Sequence, residues 1–140
     1  MATTTVNSIF GTPRTRVAQN LSAVSLTLTD SDSGIEQNMA TDAKVYTLPL
    51  ITSSTLGLTL IFRNTGADGN NLITISPNAL DGINGTIANA AADSVASGVV
   101  NKNLVNTKST SNKGDFVILT AVSLTEWYIT GGVGIWASEA

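Results

Sequence analysis

The chain contains no histidine and no cysteine among its 140 residues. Without them there can be no disulfide, thiolate nucleophile, Cys/His zinc site or imidazole acid–base pair. Charge is scarce as well: 12% of residues are ionisable side chains of Asp, Glu, Lys or Arg, about half the usual share for soluble domains. Seven scattered basic residues against ten acidic ones give a net charge of −3. That is too little positive charge for a nucleic-acid face and too little negative charge for an acidic interaction tail. Apolar runs are short, as in Phe116-Val117-Ile118-Leu119, where a membrane span needs about 20 residues. The opening Met-Ala-Thr-Thr-Thr has neither the basic nor the apolar region of a secretory signal. The expected partners therefore include neither nucleic acid nor membrane.

What fills the chain instead is neutral and polar. Thr, Ser and Asn number 20, 14 and 13, a third of all positions, beside an ordinary 42% of hydrophobic residues. A chain of this length makes one domain with one core. Its first twenty residues stand apart, since they hold Arg14 and Arg16 and no acid, so this stretch is +2 while the remainder is −5. Pro13 biases Thr12 toward an extended conformation. Residues 1–20 are expected to form an extended arm lying on the domain or on a neighbour, and residues 21–140 a single β domain.

Period-two alternation begins at Val24-Ser25-Leu26-Thr27-Leu28-Thr29, the pattern of a strand buried on one face. Val45-Tyr46-Thr47-Leu48 is a second strand, stopped by Pro49. Leu58–Arg63 and Leu72–Ile75, joined by a segment rich in Gly, Asn and Asp, predict a hairpin. Ile83–Ile87 predicts a smaller one around Asn84-Gly85. Ala-rich residues 88–100 predict at most a turn or two of helix. Strands return at Phe116–Val122, Glu126–Thr130 and Val133–Trp136, with Ser123-Leu124-Thr125 and Gly131-Gly132 as tight connections. Eight or so short strands imply an all-β fold: a small antiparallel sandwich, jelly-roll-like or barrel-like.

Catalytic chemistry finds few residues to work with. Lys44, Lys102, Lys108 and Lys113 lie in polar or turn-like surroundings and offer no buried amine nucleophile. Asp81, Asp93, Asp115 and Glu126 lie in structured stretches, but spacing places no two of them across a cleft as a glycosidase requires. Asp30-Ser31-Asp32-Ser33-Gly34 imitates a calcium loop, yet its Gly is fifth rather than sixth and Thr41 occupies the twelfth position. Asp68-Gly69-Asn70 is explained by turn chemistry. Gly131-Gly132-Val133-Gly134 lacks the lysine and following helix of a phosphate loop. No catalytic residue, cofactor or metal is therefore expected. Trp127, Tyr128 and Trp136 gather three of the seven aromatics near the C-terminus, where they suit a core or a subunit interface better than a carbohydrate platform.

Two stretches carry a resemblance: Leu60–Pro77, and Asn106–Val117 leading on to Trp127–Trp136. Together they resemble small structural proteins of tailed bacteriophages, in particular the decoration (cement) proteins on the outside of the capsid. The likeness covers about Val45 to Trp136 and extends to tail-associated and fibre proteins. It implies a β-rich fold, a homotrimer at local threefold positions between capsomers, binding to the major capsid protein on the outer surface of the virion, and no enzymatic activity. The alternative it implies is a tail or fibre module that binds a host receptor or glycan. A surface rich in Thr, Ser and Asn suits broad contacts, because burying a hydroxyl that finds a partner costs less than burying an unpaired charge. On this reading Arg14 and Arg16 contact capsid acids or carbonyls, and Trp127, Tyr128 and Trp136 lie in the core or the trimer interface.

Overall fold

A computed structural model describes residues 18–21 and 25–139. Twelve strands account for nearly all the regular structure among them. They are β1 (Ala18–Leu21), β2 (Leu26–Thr27), β3 (Glu36–Met39), β4 (Lys44–Thr47), β5 (Thr59–Asn64) and β6 (Ile73–Ser76), then β7 (Gly82–Ile87), β8 (Ser94–Val100), β9 (Leu104–Asn106), β10 (Phe116–Ala121), β11 (Glu126–Val133) and β12 (Trp136–Ser138). One 3-10 turn, Asp30–Asp32, follows Thr29, whose backbone N–H donates to the Asp32 carboxylate at 2.8 Å.

The strands form two sheets packed face to face, an all-β sandwich with no closed barrel. One sheet has seven strands in the order β1-β3-β5-β10-β11-β7-β8, and the other has five in the order β12-β9-β6-β4-β2. The sheets are mixed rather than wholly antiparallel. From β1 to β6 the chain alternates between the sheets with every strand, so β1, β3 and β5 lie parallel in one sheet and β2, β4 and β6 lie parallel in the other. From β7 onward the consecutive pairs β7–β8 and β10–β11 are antiparallel hairpins, and β11 lies parallel to β7 between them. The seam between these two halves is the antiparallel β5–β10 pair and the antiparallel β6–β9 pair.

The observed strand pairing corrects four expectations. Leu58–Arg63 and Leu72–Ile75 do form strands, but not a hairpin: β5 and β6 belong to opposite sheets, and the Gly/Asn/Asp segment carries the chain around a corner. Asn84-Gly85 is not a turn. It lies inside β7, where Gly85 at φ +130° makes room for Ile129, whose Cβ would lie 2.9 Å from any side-chain carbon there. Gly131-Gly132 likewise lies within β11, at the register shift opposite Ile118 and Leu119, and Ile87 packs onto Gly132. The Ala-rich segment makes bends and then strand β8 instead of helix. Pairing with β7 overrides the alanines' helix propensity.

Alternation of side chains fixes which face each strand buries. On β5, Leu60 and Phe62 point between the sheets, as do Val117, Leu119 and Ala121 on β10. The opposite sheet supplies Tyr46, Ile73, Ile75, Leu104 and Trp136, and Tyr46 meets Phe62 with ring centroids 6.4 Å apart. Threonines take the outward positions, where Thr59, Thr120 and Thr130 form a chain of hydroxyl contacts at 3.2 and 3.3 Å across three strands. The high Thr content is thus a consequence of many half-buried strands in a chain with few charges.

Candidate functional site

Arg14 and Arg16 lie outside the described residues. Trp127 and Trp136 are completely buried in the core of this chain, so neither presents area to a partner. The Trp136 indole N–H donates to the Val133 carbonyl at 3.2 Å. Tyr128 faces outward on β11, half-buried, and its hydroxyl donates to Glu126 Oε2 at 3.3 Å.

The four acids are separated into different structural tasks. Glu126 accepts from Asn84 Nδ2 at 3.3 Å and from Tyr128, on the outer face of the seven-stranded sheet. Asp81 is buried and accepts the Ile51 backbone N–H at 2.9 Å, tying the β4–β5 connection to the entry of β7. Burial pushes its carboxyl above the usual range, and the Ile51 N–H pulls partly the other way. Asp93 and Asp115, however, line one and the same cavity, of about 780 Å³. No three His, Cys, Asp or Glu residues are grouped as a metal site among the described residues.

That cavity opens where three connections meet: the β7–β8 loop, the residues before β10, and the β11–β12 turn. Asp93 Oδ1 accepts the Asn89 backbone N–H at 3.1 Å and closes the β7–β8 loop around Ala90-Ala91-Ala92. Asn89 Nδ2 and the Trp136 backbone N–H both reach Ser94 Oγ at 3.0 Å, which pins the loop to β12. Opposite stand Val133 and Ile135, both about half exposed.

Asp115 forms the floor, with only 4% of its surface exposed. Its Oδ2 accepts from Asn106 Nδ2 at 3.0 Å and from the Asn112 backbone N–H at 2.9 Å. Asn106 in turn accepts from Asn64 Nδ2 at 2.9 Å and donates to the Ile135 carbonyl at 3.0 Å. A buried chain of amides therefore runs from β5 through β9 to the carboxylate. Gly134, at φ +100°, supports Asp115 from the other side, and a Cβ there would lie 2.2 Å from the carboxyl carbon. Sequence reading named Asp93 and Asp115 as candidate acids but did not join them, nor did it find the alanine and valine walls. The usable signal was the glycine run ending at Gly134, which marks a close backbone approach.

A second surface feature lies at the edge of the same sheet. β8 is an outermost strand of seven residues with no charge and no proline. It exposes Val95 by 58%, Val99 by 51% and Val100 by 50%. Comparison with protein-family models and with curated proteins gave no match.

Proposed function

We propose that this protein is a virion structural component that binds the outer capsid surface and stabilises the head by bridging neighbouring capsomers as a homotrimer. The sequence resemblance to phage decoration proteins suggests the role, and the β8 edge carries the physical case for assembly. Exposed uncharged edge strands are templates for pairing with another chain, and natural proteins usually protect them with lysine, proline or a covering element. β8 has neither lysine nor proline, and although β12 packs beside it at Ser94, its Val95, Val99 and Val100 stay exposed. A closed oligomer of identical copies is the economical cover for such an edge. A chain whose exposed apolar residues include Leu80, Val122 and Leu124 also retains surface for broad contact with a shell.

No enzymatic role is part of this reading. Asp81 and Glu126 are each engaged by backbone or neighbouring side chains in separate places, and Asp93 and Asp115 each hold a backbone amide of a loop. The N-terminal residues, with Arg14 and Arg16, are the proposed contact to capsid acids.

The test mixes purified protein with expanded heads and looks for density at local threefold positions. Val99→Lys is expected to convert the trimer to monomer by light scattering and to weaken head binding. Deleting residues 1–18 is expected to weaken head binding. A monomeric wild-type chain would refute the oligomer. Binding only at the tail, in a few copies, would replace decoration by the fibre reading.

A further inference from the structure

We propose that the cavity floored by Asp115 is a binding site for an alkyl cation: an ammonium or guanidinium group carried on an aliphatic stem. A lysine or arginine side chain of a partner protein has this chemistry, and so does a free alkylamine. The proposal is independent of the virion reading, since it concerns a site complete within one chain.

Three observations converge. First, the cavity of about 780 Å³ lies in the size range of small-ligand sites and is bordered by two carboxylates, Asp93 and Asp115, while no lysine or arginine among the described residues lines it. Its charge selects cations and repels anions. Second, Asp115 is almost wholly buried yet only half used. Oδ2 has two N–H partners, while Oδ1 makes no hydrogen bond among the described residues. A buried carboxylate without a cation gains from a charged donor that completes its coordination, and such charge-assisted hydrogen bonds are the strong ones. Third, the walls are aliphatic: Ala90–Ala92 on one side, Val133 and Ile135 on the other. They match a methylene chain.

The same features argue against other ligands. A sugar needs an exposed aromatic face to stack on, and Trp136, the cavity's aromatic residue, is buried with its indole N–H spent on Val133. A divalent metal needs more oxygen ligands than two acids, one of them already bridging two N–H donors, can give. The floor is also held in place in advance. Asn106 and Asn112 fix Oδ2, and Gly134 has no Cβ to push the carboxyl group out of this position. Preorganisation of this kind removes part of the ordering cost of binding.

The experiment is an amide-detected NMR titration of the full chain with n-butylammonium, and with n-butanol as its neutral counterpart. Nα-acetyl-lysine methylamide and its arginine analogue form a third arm. Butylammonium is expected to give saturable shifts at residues 90–94, Asn112 and residues 133–137, with n-butanol giving none. Tighter binding of the amino-acid amides than of butylammonium would assign the site to a protein side chain, and equal binding to free amines. Asp115→Asn is expected to weaken binding about tenfold or more, since the charge-assisted bond is lost. Ala91→Trp changes only the exposed rim, keeps Asp115 intact and is expected to block the cavity in a folded protein. Equal binding of butanol and butylammonium would overturn the proposal. So would shifts confined to other surfaces, or unchanged binding in either folded variant.

Discussion

The two halves of this sandwich are built by different rules. From β1 to β6 the chain winds, giving one strand to each sheet in turn, so that every strand pairs with one laid down two elements earlier. From β7 to β12 it uses local antiparallel pairs, with β10 and β11 connected by four residues. The wound half has shorter strands on average, and its β5–β6 corner buries the side chains of Asn64 and Asn71. The hairpin half has the longest strands, the two tryptophans and most of the exposed valines. Each half leaves one edge strand in each sheet, β1 and β2 in the wound half and β8 and β12 in the hairpin half, but the run of exposed valines lies on β8. Both the β8 edge and the Asp115 cavity belong to the hairpin half.

Substitutions can sharpen or break that contrast. The largest effect is expected at Trp127→Ala, which empties the centre of the hairpin half and should cost about 3–5 kcal/mol in chemical denaturation. A loss below about 1 kcal/mol would mean that the hairpin half does not dominate the core. Next comes Asn106→Ala, which strips partners from Asn64, Asp115 and the Ile135 carbonyl at once and should cost about 3 kcal/mol. Because Asn64 belongs to the wound half, a double-mutant cycle between Asn64→Ala and Asn106→Ala should be non-additive. Strict additivity would show that the amide chain does not couple the halves.

Gly134→Ala should cost about 2 kcal/mol, since the residue has positive φ and a Cβ would collide with Asp115. It should also disturb the amide resonances of Asn112. The smallest effects concern pH, where two acids act in opposite directions. Burial raises the Asp81 pKa above its usual 3.8, so the folded state holds its proton more tightly than the unfolded one. Its penalty is therefore full at neutral pH and is relieved as pH falls through the folded pKa toward 3.8, and Asp81→Asn should abolish that gain. Asp42 is held below 3.8 by the Leu72 backbone N–H and by the Lys108 ammonium. Its contribution is present above 3.8 and is lost as pH falls through the lower folded value, so Asp42→Asn should remove part of the acid loss. Denaturation midpoints measured from pH 7 down to about pH 2 check both signs.

The strands were legible where alternation was strong. Leu60 and Phe62 on β5, Ile73 and Ile75 on β6, and Val117 and Leu119 on β10 have period two because each strand has one face in the core. Their pairing was not legible, because a Gly/Asn/Asp segment allows a hairpin and a corner equally well. The sheet a strand joins depends on surfaces formed by residues far away. Ala88–Val100 failed as helix for a related reason, as β7 offered it a free edge whose hydrogen bonds outweigh weak local propensity. At the cavity, Asp93 and Asp115 were visible as acids and Gly134 as a glycine. Their meeting was invisible, since the β7–β8 loop, the approach to β10 and the β11–β12 turn are brought together only by packing.

Composition alone decided the chemical range of this protein. A chain without imidazole or thiol has no thiolate nucleophile, no imidazole base and no Cys/His zinc site, and its alternating apolar positions suit half-buried strands. The tertiary structure decided the rest: which strands wind and which fold back, which edge stays open, and which carboxylate is carried under a wall of alanines and valines. Residue types set what interactions a position can make. Long-range packing sets which positions meet, because the burial that drives it depends on the whole surface removed from water rather than on any local run of sequence.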